Sequence, residues 1–166
     1  MRSSRIAIVG AGVSALLLEL VADGFRSIDA VDLSGAALDA LRLRLGAAAS
    51  AVRFVQADIR DVELTDAVDV WHDRATFHFL TEPADQLRYV RRVEASVAPG
   101  GHLVIATFAP DGPEQCSGLP VARHSALGLA ALFADQFELL ESLHQVHVTP
   151  WGAPQSFTHV FMVRRP

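Results

Sequence analysis

The chain has 166 residues, 51% hydrophobic and 20% charged, a make-up that supports one globular core and excludes a disordered or fibrous chain. Fourteen Lys+Arg against nineteen Asp+Glu give a formal net charge of −5, the wrong sign for gripping a phosphate backbone, so nucleic acid is not an expected partner. The single Cys116 excludes an internal disulfide framework. No apolar run is long enough to cross a bilayer, and MRSSRIAIVG lacks the apolar core of a signal peptide, so a cytoplasmic location without a membrane partner is expected.

In chain order, short β-branched runs alternate with longer Leu/Ala segments, the pattern of a mainly parallel sheet wrapped by helices. RIAIV (5–9) predicts the first strand and ends at Gly10, Ala11 and Gly12; SALLLELVADG (14–24) then predicts a helix. SIDAVDL (27–33) is the second strand, followed by the helical GAALDALRLRLG (35–46), where Leu38, Leu41 and Leu45 recur at helical spacing and Gly46 sits at the C-cap. VRFVQAD (52–58) and AVDVWHD (67–73) predict strands three and four, PADQLRYVRRVEASVAPGG (83–101) a helix, and HLVIATF (102–108) strand five. A long loop, FAPDGPEQCSGLPVARHS, leads to a helix over SALGLAALFADQ (125–136). FELLESLHQVHVT (137–149) and SFTHVFMVRR (156–165) have no helical segment between them, so they predict a hairpin turning through PWGAP. No repeat or linker divides the chain, and residues 1–166 are expected to form one domain.

The glycine turn GAGVSA fits G-x-G-x-x-G/A, with Ala15 third; small residues there let the backbone approach a ligand at the amino end of the next helix. Asp32 closes the second strand, where a carboxylate accepts from ribose hydroxyls. Nicotinamide, flavin and S-adenosylmethionine enzymes all begin this way, so this segment alone leaves the cofactor open.

Taken together, VGAGVS, VDLS, VRFVQADIRDV, VDVWHDRATFHFL and VAPGGHLVIATF resemble, in order and spacing, the class I S-adenosylmethionine-dependent methyltransferases, from Arg5 to the last strand. The resemblance implies a doubly wound, Rossmann-like α/β fold of strand order 3-2-1-4-5-7-6 with a C-terminal antiparallel β-hairpin. It also implies that the backbone of Gly10, Ala11 and Gly12 borders the methionine part of S-adenosylmethionine and that Asp32 holds the ribose. Leu33 would lie against the adenine, Asp58 accept from its amino group, and Ile59 cover the ring. Two features depart from the family: Ile8 stands where an acid is common on the first strand, and only MRSS stands where covering helices usually precede it. Cover by a second copy in a two-fold dimer is one expected consequence; an open, weakly binding site is the other.

WHDRATFHFL follows strand four, at the switch point where ligands bind in such sheets. Methyl transfer from a sulfonium chiefly needs donor and acceptor held in line, and a base only when the acceptor must lose a proton. His72, Asp73 and His78 are the candidate catalytic residues; the alternative for Asp73 is pairing with Arg74 or capping the next turn, while Trp71 and Phe77 pack. The DRA segment resembles the corresponding turn of thiopurine-type S-methyltransferases and of some protein-lysine methyltransferases. Neither likeness names an acceptor, which is expected to be a small molecule or a protein side chain. Cys116 reads as a loop residue without catalytic duty, and no metal is expected at His144, His147 and His159, which lack a nearby Cys or ordered acids. A dinucleotide-binding oxidoreductase and a non-catalytic cofactor-binding module are the competing readings.

Overall fold

Short runs rich in Val, Ile and Ala become the parallel strands of the sheet, β1 (Ile6–Val9), β2 (Ile28–Asp32), β3 (Val52–Gln56), β4 (Val68–Arg74) and β5 (Val97–Phe108), of which β1 and β2 are buried on both faces and β3 lies at the edge. The computed structural model describes residues 3–12 and 14–166; Val13 of the glycine turn and the first two residues of the MRSS segment lie outside them. A ribbon of β6 (Gln115–Cys116) and β7 (Leu119–Pro120) stands apart, and β8 (Phe137–Val148) and β9 (Pro154–Arg164) form the closing hairpin. The sheet runs β3-β2-β1-β4-β5-β9-β8, with β9 antiparallel to both β5 and β8. Counting only its seven strands, this is the expected order 3-2-1-4-5-7-6 with its C-terminal hairpin.

Among the described residues four α-helices cover the sheet: α1 (Ala15–Ala22), α2 (Gly35–Leu45), α3 (Pro83–Ser96) and α4 (Ala126–Leu132). Ser14, Ser34 and Ser125 each accept at the side-chain oxygen from a backbone N–H three residues on, and Pro83 opens α3 where its missing N–H costs nothing. Strand alternation sends Ile6, Ile8, Ile28, Ala30 and Val52 to one face, against Leu17 and Val21 of α1 and Leu38 and Leu41 of α2. Ala7, Val9, Trp71, Leu103, Ile105 and Met162 go to the other, against Tyr89, Val90 and Val93 of α3 and Leu129 of α4. Each such fully buried large side chain contributes about 1.5–3 kcal/mol. On the α1/α2 face the cluster reaches no further along the sheet than Val70 of β4.

Three boundaries differ from expectation. The helix expected over 83–101 ends at Ser96, because Pro99 disfavours a helical Ala98, and Gly100 takes φ +76°. Residues 97–101 instead begin β5 with an excursion: Val68 pairs with Val97, but Val70 pairs with His102. The irregularity puts Val68 and Trp71 on one face of β4 and Val70 on the other. The helix expected over 125–136 is helical only over Ala126–Leu132, and the loop before it contains the β6–β7 ribbon.

Candidate functional site

At the carboxyl end of β1 the chain turns through two left-handed glycines, Gly10 (φ +60°) and Gly12 (φ +47°). Ala11 N–H donates to Val31 O at 3.0 Å, Gly12 N–H to Asp32 Oδ2 at 2.7 Å and Ser34 N–H to Asp32 Oδ1 at 2.8 Å. Asp32 thus ties the glycine turn to the start of α2, and each of its oxygens retains accepting capacity. A Cβ on Gly10 would stand 1.8 Å from Thr76 Oγ1, so the turn after β1 closes directly on the turn after β4.

Between these turns lies a cavity of about 650 Å³ bordered by Gly10, Asp32, Leu33, Asp58 and Ile59, all expected from sequence. Leu33, although apolar, is 70% exposed toward this space. Arg60, Ala75, Thr76, Phe79, Leu80, Thr81 and Asp85 continue the wall, and Leu119 and Pro120 of β7 complete it. Ala11 and Gly12 border a second cavity, about 390 Å³, together with Ile8, His72 and Arg74; Gly10 borders both.

Asp58 lies two residues beyond the end of β3, in a turn where it receives Arg60 N–H and Nε on Oδ1, both at 2.9 Å, and Arg60 Nη2 on Oδ2 at 2.6 Å. The guanidinium's other arm donates to Asp85 Oδ2, in the first turn of α3, at 2.9 Å. Hydrogen bonding from Arg60 holds the Asp58 carboxyl below its ordinary value against the opposing effect of burial, and the two acids raise Arg60.

The residues after β4 divide by strand alternation. Asp73 points to the α3 face and is fully buried; its Oδ2 accepts from Tyr89 OH at 2.7 Å and its Oδ1 from Thr76 N–H at 3.0 Å, while Phe77 N–H donates at 3.1 Å. Trp71 Nε1–H donates to Tyr89 OH at 2.9 Å, extending the network. Burial pushes the Asp73 carboxyl up to about 6, with Tyr89 and the two backbone donors pulling the other way. Asp73 therefore caps the turn that carries Ala75 at φ +64°, the alternative weighed for it, and does not border the cavity. His78 is also fully buried, against Phe79 and Phe108, with neither ring nitrogen hydrogen-bonded; burial first, and His124 second, lower it to about 4. His72 faces the opposite side of the sheet and borders the second cavity rather than the first; burial, then Arg74 and His159, lower its basicity. Cys116 packs on the cluster of Ala106, Phe108 and Phe157.

A family model described as a methyltransferase domain matches residues 8–105, more than half of the chain. The chain belongs to the methyltransferase-domain family. The class I resemblance read from the five sequence stations is borne out. No curated protein matches the sequence significantly. Among solved structures, an S-adenosylmethionine-dependent methyltransferase of Methanosarcina mazei is similar with a TM-score of 0.82 at 16% identity, covering 99% of this chain and 94% of that one. The 1,6-didemethyltoxoflavin-N1-methyltransferase of Burkholderia thailandensis, solved with 1,6-didemethyltoxoflavin and S-adenosylhomocysteine, gives 0.78 at 23% identity, over 99% and 72%. The N-methyltransferase NodS of Bradyrhizobium japonicum gives 0.79 at 14%, over 99% and 86%. At these identities the likeness is one of fold.

The residues present fit an adenosyl cofactor: accepting oxygens on Asp32 and Asp58 and the apolar side chains of Leu33 and Ile59 border one cavity beside the Gly10 turn. Sequence reasoning missed Arg60 and Asp85. Arg60 stands two residues from a named acid, a usable signal, whereas nothing local marks Asp85. Phe79, Leu119 and Pro120 were also missed, because the ribbon's position over the cavity depends on long-range packing.

Proposed function

We propose that the protein binds S-adenosylmethionine in the 650 Å³ cavity and transfers its methyl group to a small molecule. The observation that carries this reading is the convergence of Gly10, Asp32, Leu33, Asp58 and Ile59 on one cavity in a chain of the methyltransferase-domain family. Asp32 accepts from the ribose hydroxyls, Leu33 and Ile59 exclude water from the adenine, and Asp58, held by Arg60, accepts from its amino group. The Gly10–Ala11–Gly12 backbone borders the amino-acid end. The cofactor supplies a methyl group already activated on a sulfonium.

Asp73 serves as a positioning residue, because its buried carboxylate fixes the turn that brings Thr76 against Gly10. Rate enhancement then comes from alignment of acceptor and methyl, which in favourable cases supplies on the order of 7–11 kcal/mol. The 1,6-didemethyltoxoflavin-N1-methyltransferase of similar fold binds 1,6-didemethyltoxoflavin, a small molecule, which supports the same class of acceptor here. Titration calorimetry with S-adenosylhomocysteine, NADH and FAD tests the cofactor. Binding of the first alone is expected, and binding of NADH or FAD in its place would replace this reading with an oxidoreductase.

A further inference from the structure

The second cavity, about 390 Å³, differs in charge from the first. Asp32, Asp58 and Asp85 border the first, and the cation there, Arg60, is already shared between two of them. Among the described residues bordering the second cavity there is no carboxylate; the charged side chain is Arg74 and the other titratable group is His72. Strand alternation puts both on the face of β4 that carries Val70. Ile8, in register with His72 on the neighbouring β1, is apolar and offers no counter-charge. Ala106 and His159 continue the row of Arg74 across β5 and β9, again without an acid. The guanidinium of Arg74 lies over the Phe157 ring, 5.0 Å from its centroid, and no acid among the described residues pairs with it, in contrast to Arg60. Stacking on a ring face leaves the edge donors of a guanidinium available to a ligand. His72 Nδ1 is buried without a hydrogen-bond partner. Burial lowers His72 and His159 below the ordinary histidine value, so both rings are uncharged at neutral pH and Arg74 supplies the charge. The amino end of α1, at Ser14, Ala15 and Leu16, borders the same cavity and adds the positive end of its dipole. Gly10 borders both cavities, so a ligand whose ribose sits on Asp32 can continue past the glycine turn into the second.

Resting on the methyltransferase reading for the nucleoside, we propose that the second cavity is a carboxylate site in which Arg74 recognises the anion. A carboxylate in the first cavity faces three acids and a guanidinium that two of them already hold. In the second it meets a guanidinium that no acid shares, whose planar fork donates two parallel N–H bonds to a carboxylate. Two ligands can supply that group: the cofactor through its amino-acid end, or a methyl acceptor that carries a carboxylate. The chemistry recognised is the same, and the turn that separates the two cavities is where donor and acceptor meet.

Calorimetric titration into wild type, Arg74→Gln and Arg74→Lys tests the site with two matched pairs of ligands. The first pair is S-adenosylhomocysteine and 5′-methylthioadenosine, which has a methyl group in place of the amino-acid end. The second is benzoate and its uncharged counterpart benzamide, each titrated into free protein and into protein saturated with either nucleoside. Arg74→Gln is expected to weaken a carboxylate ligand about tenfold or more while sparing its carboxylate-free counterpart, and Arg74→Lys to keep part of the affinity. If the cofactor supplies the carboxylate, the loss falls on S-adenosylhomocysteine, and benzoate binds protein loaded with 5′-methylthioadenosine but is blocked by S-adenosylhomocysteine. If the acceptor supplies it, both nucleosides bind Arg74→Gln normally, and benzoate binds beside S-adenosylhomocysteine in the wild type but not in Arg74→Gln. The site is overturned if Arg74→Gln weakens neither carboxylate ligand, or weakens each no more than its carboxylate-free counterpart. If neither nucleoside binds the wild type, the cofactor reading fails, and benzoate titration of the free proteins still decides the carboxylate site.

Discussion

Asp73 and His78 stand five residues apart, both without exposure to solvent, and burial acts on them in opposite directions. Asp73 is raised to about 6 from an ordinary 3.8, so the folded protein holds the proton more tightly than the unfolded chain does. Its contribution to stability is complete below pH 4 and is lost as pH rises through 6, a change of roughly 3 kcal/mol. His78 is lowered to about 4 from 6.5, so its contribution is complete above pH 6.5 and is lost as pH falls through 4, by a similar amount. Urea denaturation of Asp73→Asn and His78→Leu between pH 4 and 7 measures both. Relative to Asp73→Asn the wild type should lose stability as pH rises across this window; relative to His78→Leu it should gain. Parallel curves for all three proteins would mean that neither group titrates in place. Gly10 poses a steric question. An alanine there adopts φ +60° at a cost of about 1–3 kcal/mol and meets Thr76 Oγ1, so Gly10→Ala should unfold at lower urea, and adding Thr76→Gly should recover part of the loss. An unaffected Gly10→Ala midpoint would show that the two turns do not touch.

Between elements, the Arg60 bridge from the turn after β3 to the first turn of α3 closes one side of the cavity. Its groups are partly exposed, so Arg60→Gln should cost on the order of 1 kcal/mol in stability, less at high salt. The larger effect should fall on S-adenosylhomocysteine affinity, through loss of the Asp58 orientation, and calorimetry at low and high salt would detect it; equal affinity in wild type and variant would make the bridge purely structural. Sequence made the strands and helices legible because short β-branched runs and leucines at helical spacing are local signals. It misplaced the end of α3 by five residues, since PGG reads as a helix stop while the strand pairing of Val97 with Val68 is a tertiary fact. The β6–β7 ribbon escaped notice for the same reason: two-residue strands carry no periodicity, and this one is positioned by Cys116 and Val121 packing on the Phe108 and Phe157 cluster.

Across the whole molecule, the order of the sheet brings the ends of β1, β2 and β3 beside the turn after β4, and this alone assembles side chains from widely separated parts of the chain around one cavity. The wall proposed to hold the cofactor, Gly10, Asp32, Leu33, Asp58 and Ile59, was legible because these residues sit at or just beyond strand ends, positions the alternation of elements predicts. The catalytic side was not, because one residue of phase along β4 sends His72 and Asp73 to opposite faces, and the phase is set by the irregularity at Val68 and Val70. Among the described residues no helix is long and apolar enough to cross a membrane. The central claim is that Asp32 and the glycine turn bind the adenosyl cofactor. Calorimetric titration of S-adenosylhomocysteine into wild type and Asp32→Ala tests it most directly. The account predicts binding to the wild type and a loss of roughly 1.5–3 kcal/mol, about tenfold to 150-fold, in the variant. Equal affinity for the two proteins, or no binding to the wild type, would contradict it.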